Sequence, residues 1–241
     1  MDNLPARAGR WLLNALLPAT CAHCGEDLHY LDRKPLCGTC LAGLRAVQAP
    51  FCAACGLPLE DGGASCRDCR AGRPRGLALA RSAFVFNPQL RSAVHALKYR
   101  GRDDIARWLA SEMAAALRRF PELRPYNFCA AVPLHPSRLR ERGFNQSELL
   151  AAGLAPVAGL FRLDGAVVRL RDTPSQTSLG RAQRRENMTG AFSARPELVR
   201  GRNVLLIDDV ATTLATLSSL AVELSAAGAS SVAAFTLARE P

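Results

Sequence analysis

Short apolar runs separated by amphipathic stretches dominate the last two thirds of the chain. The runs have the length and residue content of buried strands, and they lie at Leu79–Phe86, Phe128–Val132, Val167–Leu170, Val204–Ile207 and Ser230–Leu237. The stretches between them predict helices from Pro88 to about Tyr99, from Asp103 to about Arg119, from Gln146 to about Leu154 and from the residues after Thr216 to about Ala227. Alternating strands and helices predict an α/β fold with a mainly parallel sheet flanked by helices.

The front of the chain has a different pattern, in which cysteine takes the place of apolar runs. Eight of the nine cysteines form four C-x-x-C pairs: Cys21/Cys24, Cys37/Cys40, Cys52/Cys55 and Cys66/Cys69. Two such pairs close a tetrahedral zinc site, so the sequence predicts a small double zinc-ribbon domain with one or two structural zinc ions. The repeat indicates two ribbons in tandem, with one zinc on Cys21, Cys24, Cys37 and Cys40 and the other on Cys52, Cys55, Cys66 and Cys69. The spacing also fits a crossed pairing of the four knuckles. His23 and His29 are alternative ligands.

A basic linker, Arg70–Gly76, separates this front from the body, because proline and glycine interrupt structure there. We therefore predict an N-terminal helix and zinc-ribbon domain over residues 1–75 and a larger domain over residues 76–241. The helix would bury Trp11, Leu12, Ala15 and Leu16. No apolar run approaches the ~20 residues that a membrane helix needs, and we expect a cytoplasmic protein.

Charge indicates phosphate-rich partners. The formal net charge is +10, and residues 81–200 hold 20 basic against 10 acidic residues. Nearly all of the basic residues are arginines, since the chain has only two lysines, Lys34 and Lys98. A basic segment of this kind is typical of proteins that bind phosphates or nucleic acid, although a solvated basic surface has the same composition.

The segment Val204–Leu217 carries the most specific chemistry. A buried strand ends in Asp208 and Asp209, and a threonine-rich turn then leads into a helix. Two adjacent carboxylates suit a ribose diol or Mg²⁺, while turn amides and a helix N-terminus suit a phosphate. Such a site would lie at the carboxyl end of a parallel strand, where open α/β sheets bind ligands.

Two polar segments add candidate residues. Pro133–Gln146 is predicted to be a loop, and its Arg138 and Arg142 suit a pyrophosphate. Thr173–Asn187 is long and polar, as mobile lids are, and it offers Thr177, Arg181 and Arg185 as residues that could close over a ligand.

The segment Val204–Leu217 resembles the phosphoribosyl-pyrophosphate (PRPP) loop of type I phosphoribosyltransferases. The matching positions are Val204–Ile207, Asp208, Asp209, Thr212, Thr213 and Thr216. The chain departs from that pattern at Leu214, where the family usually has glycine. Over nearly its whole length, the chain also resembles the competence protein F family. That resemblance is carried by Leu97–Arg102, Val132–Ser147, Thr173–Asn187, the acidic loop and the cysteine knuckles.

The resemblance implies a type I phosphoribosyltransferase fold and a link to DNA uptake or to processing of incoming single strands. It implies that Asp208 and Asp209 contact the ribose with Mg²⁺ nearby. The 5′-phosphate would lie on Ala211, Thr212, Thr213, Leu214, Ala215 and Thr216. Arg138, Arg142, Lys98 and Arg100 are the pyrophosphate candidates. Three functions remain open: a phosphoribosyltransferase, a single-stranded-DNA-binding module on the same fold, and a PRPP sensor without chemistry.

Overall fold

The computed structural model describes residues 19–28, 34–100, 103–172 and 190–241. The predicted N-terminal helix and the predicted lid lie outside these residues. The cysteine-rich front contains only short elements in its described part. They are β1 (Ala19–Thr20), β2 (Asp27–Leu28), α1 (Gly38–Ala42) and α2 (Arg67–Ala71).

The body follows as an alternation of strands and helices. In chain order its elements are β3 (Ala80–Val85), α3 (Pro88–Arg100), α4 (Asp103–Leu117), a 3₁₀ turn (Pro121–Leu123), β4 (Phe128–Ala131), α5 (Pro136–Arg142), α6 (Gln146–Ala158), β5 (Phe161–Arg162), β6 (Val167–Arg169), β7 (Phe192–Ala194), α7 (Pro196–Val199), β8 (Asn203–Ala211), α8 (Ala215–Ala226) and β9 (Ser231–Arg239).

Five strands form one parallel sheet in the order β3-β9-β8-β4-β5. The β8–β9 pairing runs from Asn203↔Ser231 to Ala211↔Arg239. These central strands are nearly continuous apolar runs, because a parallel sheet is covered on both faces. The predicted fold class, a parallel sheet flanked by helices behind a cysteine-rich segment, is confirmed.

The two faces of the sheet bury different helices. On one face, Leu205 and Ile207 of β8 share an apolar cluster with α3, α4 and α6. On the other face, Val204 and Leu206 share a cluster with α8, the β6–β7 hairpin and the second half of the cysteine-rich segment. The helix α6, which comes after β4 and α5, and the helix α8, which follows β8, therefore lie on opposite faces. Neighbouring strands of this kind leave a crevice between their carboxyl ends.

Two local predictions differ from the structure. The segment 133–146, predicted to be a loop, contains α5, which Pro136 opens at the first helical position and which Gly143 ends with φ +83°. The strand predicted at Val167–Leu170 exists as β6, but it pairs antiparallel with β7 in a separate two-stranded sheet. Among the described helices, none combines the length and apolar character of a bilayer span.

Candidate functional site

The acidic pair lies at the crevice between β4 and β8. Asp208 and Asp209 fall near the carboxyl end of β8, and the amide of Val132, just past β4, donates to the Ile207 carbonyl 3.0 Å away. On its other side β8 pairs in parallel with β9, where Asp208 lies beside Thr236, so β9 ends at the same edge of the sheet. The sheet therefore places the two carboxylates where the topology leaves room for a ligand.

Asp208 is held by two hydrogen bonds. Its Oδ1 accepts from the Ser147 hydroxyl at 2.8 Å and from the Asp209 amide at 2.9 Å. Burial, followed by the neighbouring charge of Asp209, raises the pKa of Asp208 to about 7. A carboxyl group in this state gains from any cation or hydroxyl donor that enters the crevice.

Asp209 faces the end of α3. Lys98 Nζ lies 2.5 Å from Asp209 Oδ2, and the Val210 amide donates to Asp209 Oδ1 at 2.8 Å. The structure thus brings Lys98, one of the pyrophosphate candidates, next to the acidic pair. Arg100, the last residue of α3, follows two positions later.

The turn between β8 and α8 has an unusual backbone. Leu214 is the residue before α8, and it has φ +60° and ψ +11° in the left-handed region. It is the only described non-glycine residue with positive φ. The Thr213 hydroxyl accepts from the Ala215 amide at 3.4 Å. Ala211, Thr212, Thr213, Leu214, Ala215 and Thr216 form this turn and the first residues of the helix.

The two arginines predicted for pyrophosphate lie on α5, near Asp172 and Gln146. Arg138 Nε is 3.7 Å from Asp172 Oδ1, and Arg142 Nη1 donates to Gln146 Oε1 at 2.6 Å. The Arg142 guanidinium also lies 5.6 Å from the ring centre of Tyr99. Thr177, Arg181 and Arg185 lie outside the described residues.

Three contributors to the site escaped the sequence reasoning. Ser147 donates to Asp208. Its place in the sequence, two residues after the helix-capping Asn145, could have indicated a side chain fixed at the start of a helix. Asp172 accepts from the Ser137 hydroxyl at 2.6 Å, which lowers its pKa. Arg239 donates to the carbonyls of Ala211 and Thr212, a contact between β9 and the turn that no local pattern reveals.

The cysteines form two separate groups. Cys21, Cys24, Cys37 and Cys40 make one, and Cys52, Cys55, Cys66 and Cys69 make the other, with all sulfur atoms of a group within 4.8 Å of one another. The tandem pairing is therefore the one adopted. Gly25 and Gly56 have φ +78° and +68°, which the turn of each knuckle requires.

The sulfur geometry fits zinc. Cys24 Sγ is 3.7 Å from Cys37 Sγ, and Cys55 Sγ is 3.6 Å from Cys66 Sγ. A tetrahedron with zinc–sulfur bonds of ~2.3 Å has edges of about 3.8 Å, so each group has the size of a closed tetrathiolate site. These residues would hold zinc in a structural role, because four thiolates leave no position for water.

Main-chain amides favour the thiolate form of one cysteine in each group. Burial opposes ionisation of Cys21 and Cys52, but main-chain amides outweigh it and lower the pKa of each to about 6. His23 Nδ1 instead lies 3.1 Å from the Ser92 hydroxyl, outside the first group. Burial raises the pKa of the remaining thiol, Cys129, to about 11, as expected for a core residue rather than a nucleophile.

Fold and site together define a parallel α/β protein with an acidic crevice at its carboxyl edge and two zinc-ribbon centres. Residues 12–70 match the double zinc ribbon domain. The chain is 33% identical over 228 residues to the DNA utilization protein YhgH of Salmonella typhimurium, which covers 92% of this chain and 98% of that protein. The chain belongs to the competence protein F family.

Two further relatives agree with this membership. Competence protein F of Haemophilus influenzae is 29% identical over 225 residues, covering 91% of this chain and 96% of that protein. Competence protein ComFC of Bacillus subtilis is 31% identical over 215 residues, covering 86% and 85%.

Among solved structures, the allosteric regulatory enzyme of purine biosynthesis is similar with 21% identity and a TM-score of 0.37, over 54% of this chain and 25% of that chain. A hypoxanthine phosphoribosyltransferase from Staphylococcus aureus is similar with 16% identity and a TM-score of 0.31, over 57% and 64%.

Proposed function

We propose that the chain binds PRPP together with Mg²⁺ at the carboxyl edge of β8, as a phosphoribosyltransferase-type enzyme. One observation carries the proposal: an acidic pair at the crevice, with Asp208 half-buried and Asp209 buried, is followed directly by a turn into the N-terminus of α8. Carboxylate oxygens suit the ribose hydroxyls and a hard cation. Main-chain amides at the start of a helix of 12 residues suit the 5′-phosphate.

In this arrangement Mg²⁺ would supply charge neutralisation for the pyrophosphate, and Asp208 and Asp209 are the residues that fit it. Lys98 lies against Asp209, and its ammonium group would contact an oxygen of the incoming pyrophosphate. Arg138 and Arg142 are proposed to approach the same group from α5. Because the leaving group departs largely by itself, positioning and charge neutralisation are the main demands on these side chains.

Calorimetric titration with PRPP and Mg²⁺ tests the proposal. We expect binding to the wild-type chain, loss of at least about tenfold in affinity in Asp209→Asn, and none in Asp164→Asn. Asp164 is a matched control, because it is an exposed acid paired with Arg162 near the far edge of the sheet. No heat with the wild-type chain at full zinc content would refute PRPP binding.

Release of pyrophosphate over a panel of acceptor bases separates an enzyme from a sensor. We expect release that depends on Asp208 and on one class of acceptor. Tight PRPP binding without release over any acceptor would identify a PRPP sensor on the same fold. The names of the relatives place them in DNA utilization and competence, and we propose the same link for this chain.

A second function, binding of single-stranded DNA, has one specific observation in its favour. Tyr99, near the end of α3, is 66% exposed. Its ring centre lies 4.6 Å from that of His95, and the Arg142 guanidinium lies over the same ring. An exposed aromatic ring with a guanidinium beside it suits base stacking near a phosphate backbone. The basic excess of residues 81–200 supplies the charge for such a backbone.

Oligonucleotide binding by Tyr99→Ala and Phe161→Ala tests this function. Phe161 is a matched control, since it is 67% exposed but lies on β5, opposite the first residue of β4. We expect the Tyr99 variant alone to lose about 1–3 kcal/mol of binding free energy. The affinity should also fall steeply with salt, and an affinity indifferent to salt would contradict a backbone-driven interaction.

A further inference from the structure

Arg239 is a buried cation at the end of β9. Its side chain is 6% exposed, and its Nη1 donates to the carbonyls of Ala211 at 3.0 Å, Glu240 at 3.1 Å and Thr212. The Nε of the same guanidinium has no hydrogen-bond partner among the described residues. Ala211 and Thr212 begin the turn that leads into α8, so this one side chain fixes two successive carbonyls of that turn.

The second cysteine group shares a cavity with this guanidinium. Arg239, Cys55, Cys66 and Cys69 line one cavity of about 600 Å³ between the cysteine-rich front and α8. Zinc held by four thiolates carries net negative charge, so a desolvated guanidinium beside it is favourable.

Leu214 connects the same two parts by packing. Its side chain is 4% exposed, and it belongs to the apolar cluster that contains all four cysteines of the second group. It also lines the cavity just described. A leucine with φ +60° costs about 1–2 kcal/mol, so its neighbours must hold this backbone conformation in place.

The first cysteine group has no such relation to the turn. Cys21, Cys37 and Cys40 belong to the apolar cluster on the opposite face of the sheet, together with residues of α3 and α4. The two zinc sites are alike in sequence and in local geometry, since α1 follows Cys37 and α2 follows Cys66 in the same way. They differ in what they contact.

We propose that Arg239 is a positioning residue that makes the conformation of the 211–216 turn depend on zinc at the second cysteine group and not at the first. The part that concerns ligand affinity rests on the proposed function, since the turn is the proposed phosphate site. The part that concerns the conformation of the turn stands without it.

Amide hydrogen exchange in residues 211–217 tests the dependence on zinc. Cys69→Ser and Cys40→Ser remove equivalent buried ligands, each in the short helix of its own knuckle. We expect exchange in the turn to be about tenfold faster in Cys69→Ser and within about twofold of wild type in Cys40→Ser. Equal acceleration in both variants would overturn the proposal.

Arginine variants at full zinc content test the side chain itself, and they carry the test if a cysteine variant does not fold. Arg239→Met should accelerate exchange in the turn and weaken PRPP binding about tenfold, and Arg239→Lys should restore part of each. Arg81→Met is a matched control for contact with the second knuckle, because Arg81 is 5% exposed, pairs with Glu122 and donates to the carbonyls of Ala80 and of Ala53, which lies between Cys52 and Cys55.

We expect Arg81→Met to lower the melting temperature without changing exchange in the turn relative to its neighbours. Equal effects of Arg81→Met and Arg239→Met on the turn would show that Arg239 acts only through overall stability, and would overturn the proposal. A wild-type chain that binds no PRPP would refute the proposed function and leave the exchange comparison valid.

Discussion

Leu214 is a residue whose backbone conformation and side chain favour different amino acids. The positive φ favours glycine, whereas the buried position inside the second apolar cluster favours a large apolar side chain. Burial of a leucine contributes about 2–3 kcal/mol, and the left-handed backbone costs about 1–2 kcal/mol. Packing therefore outweighs strain, which explains how leucine is accommodated where the resemblance leads one to expect glycine.

Two variants separate these terms. Leu214→Ala keeps the strain and loses the packing, and we expect it to cost about 2–4 kcal/mol of unfolding free energy. Leu214→Gly loses the same packing but relieves the strain, so it should be more stable than Leu214→Ala by about 1 kcal/mol. Urea unfolding measures both. An alanine variant more stable than the glycine variant would contradict a strained turn.

Asp208 shows a similar conflict between stability and function. Its pKa is raised from the ordinary aspartate value of 3.8 to about 7 by burial and by the charge of Asp209. Between those pH values the unfolded chain releases a proton that the folded chain keeps, so this group lowers stability increasingly as pH rises towards about 7. A buried, mutually repelling pair is costly unless it serves a ligand.

Asp208→Asn should therefore stabilise the fold while weakening the site. We expect the variant to exceed wild type by on the order of 1–2 kcal/mol at pH 8, with the difference vanishing towards pH 4. Urea titrations across pH measure this difference. PRPP affinity of the wild-type chain should rise with pH through about 7, because Mg²⁺ requires the ionised pair. A pH-independent affinity would contradict this assignment.

At the scale of elements, side chains at the start of α6 form hydrogen bonds with the ends of both strands of the crevice, β4 and β8. Asn145 caps this helix, with its Oδ1 accepting from the Ser147 amide at 3.0 Å and its Nδ2 donating to the Val132 carbonyl at 3.0 Å. The cap thereby fixes Ser147, whose hydroxyl holds Asp208. A helix-capping residue thus also orders the acidic site.

Asn145→Ala should lose both the helix cap and the fixed position of Ser147 at the acidic site. We expect a cost of about 1–2 kcal/mol in unfolding free energy and weaker PRPP binding, since Ser147 loses its fixed position. Asn87→Ala is the control, because Asn87 caps the start of α3, away from Lys98, in the same way: its Oδ1 accepts from the Leu90 amide and its Nδ2 donates to the Gly43 carbonyl. Equal PRPP affinity in the two variants would argue against a role of the α6 cap in the site.

Element prediction succeeded where a pattern is local and failed where it is not. Strands such as Phe128–Ala131 follow from apolar runs, and the start of α3 follows from Pro88. The helix α5 was missed because its polar, arginine-rich sequence lacks an apolar stripe, and only its cap and Pro136 mark it. The pairing of β6 with β7 joins residues that are distant along the chain, which periodicity does not encode.

At the scale of the whole molecule, the cysteine-rich front is joined to both faces of the sheet. The first group shares an apolar cluster with α3 and α4, and the second shares one with α8. The front itself has few apolar residues, so zinc has to supply much of its folding free energy. The boundary between residues 75 and 76 stays a prediction, as does a cytoplasmic location.

Zinc removal should therefore destabilise the protein as a whole. We expect a chelator to lower the melting temperature by more than about 10 °C, on the order of several kcal/mol, and zinc to restore it. Metal analysis should give two zinc ions per chain, matching the two groups of four cysteines. One zinc ion per chain, or a melting temperature insensitive to chelation, would contradict two structural sites.

The sequence by itself determined the α/β class, the cysteine knuckles and the acidic turn, because periodicity, ligand spacing and a strand ending in Asp208 are all local. It also carried the resemblance that names the family. Only the tertiary structure decided which knuckles pair, that Lys98 and Ser147 reach the acidic pair, and that Arg239 binds the turn and lines a cavity together with the second cysteine group. Those contacts join residues far apart along the chain, and they arise when the sheet brings distant strands together and buries the side chains between them.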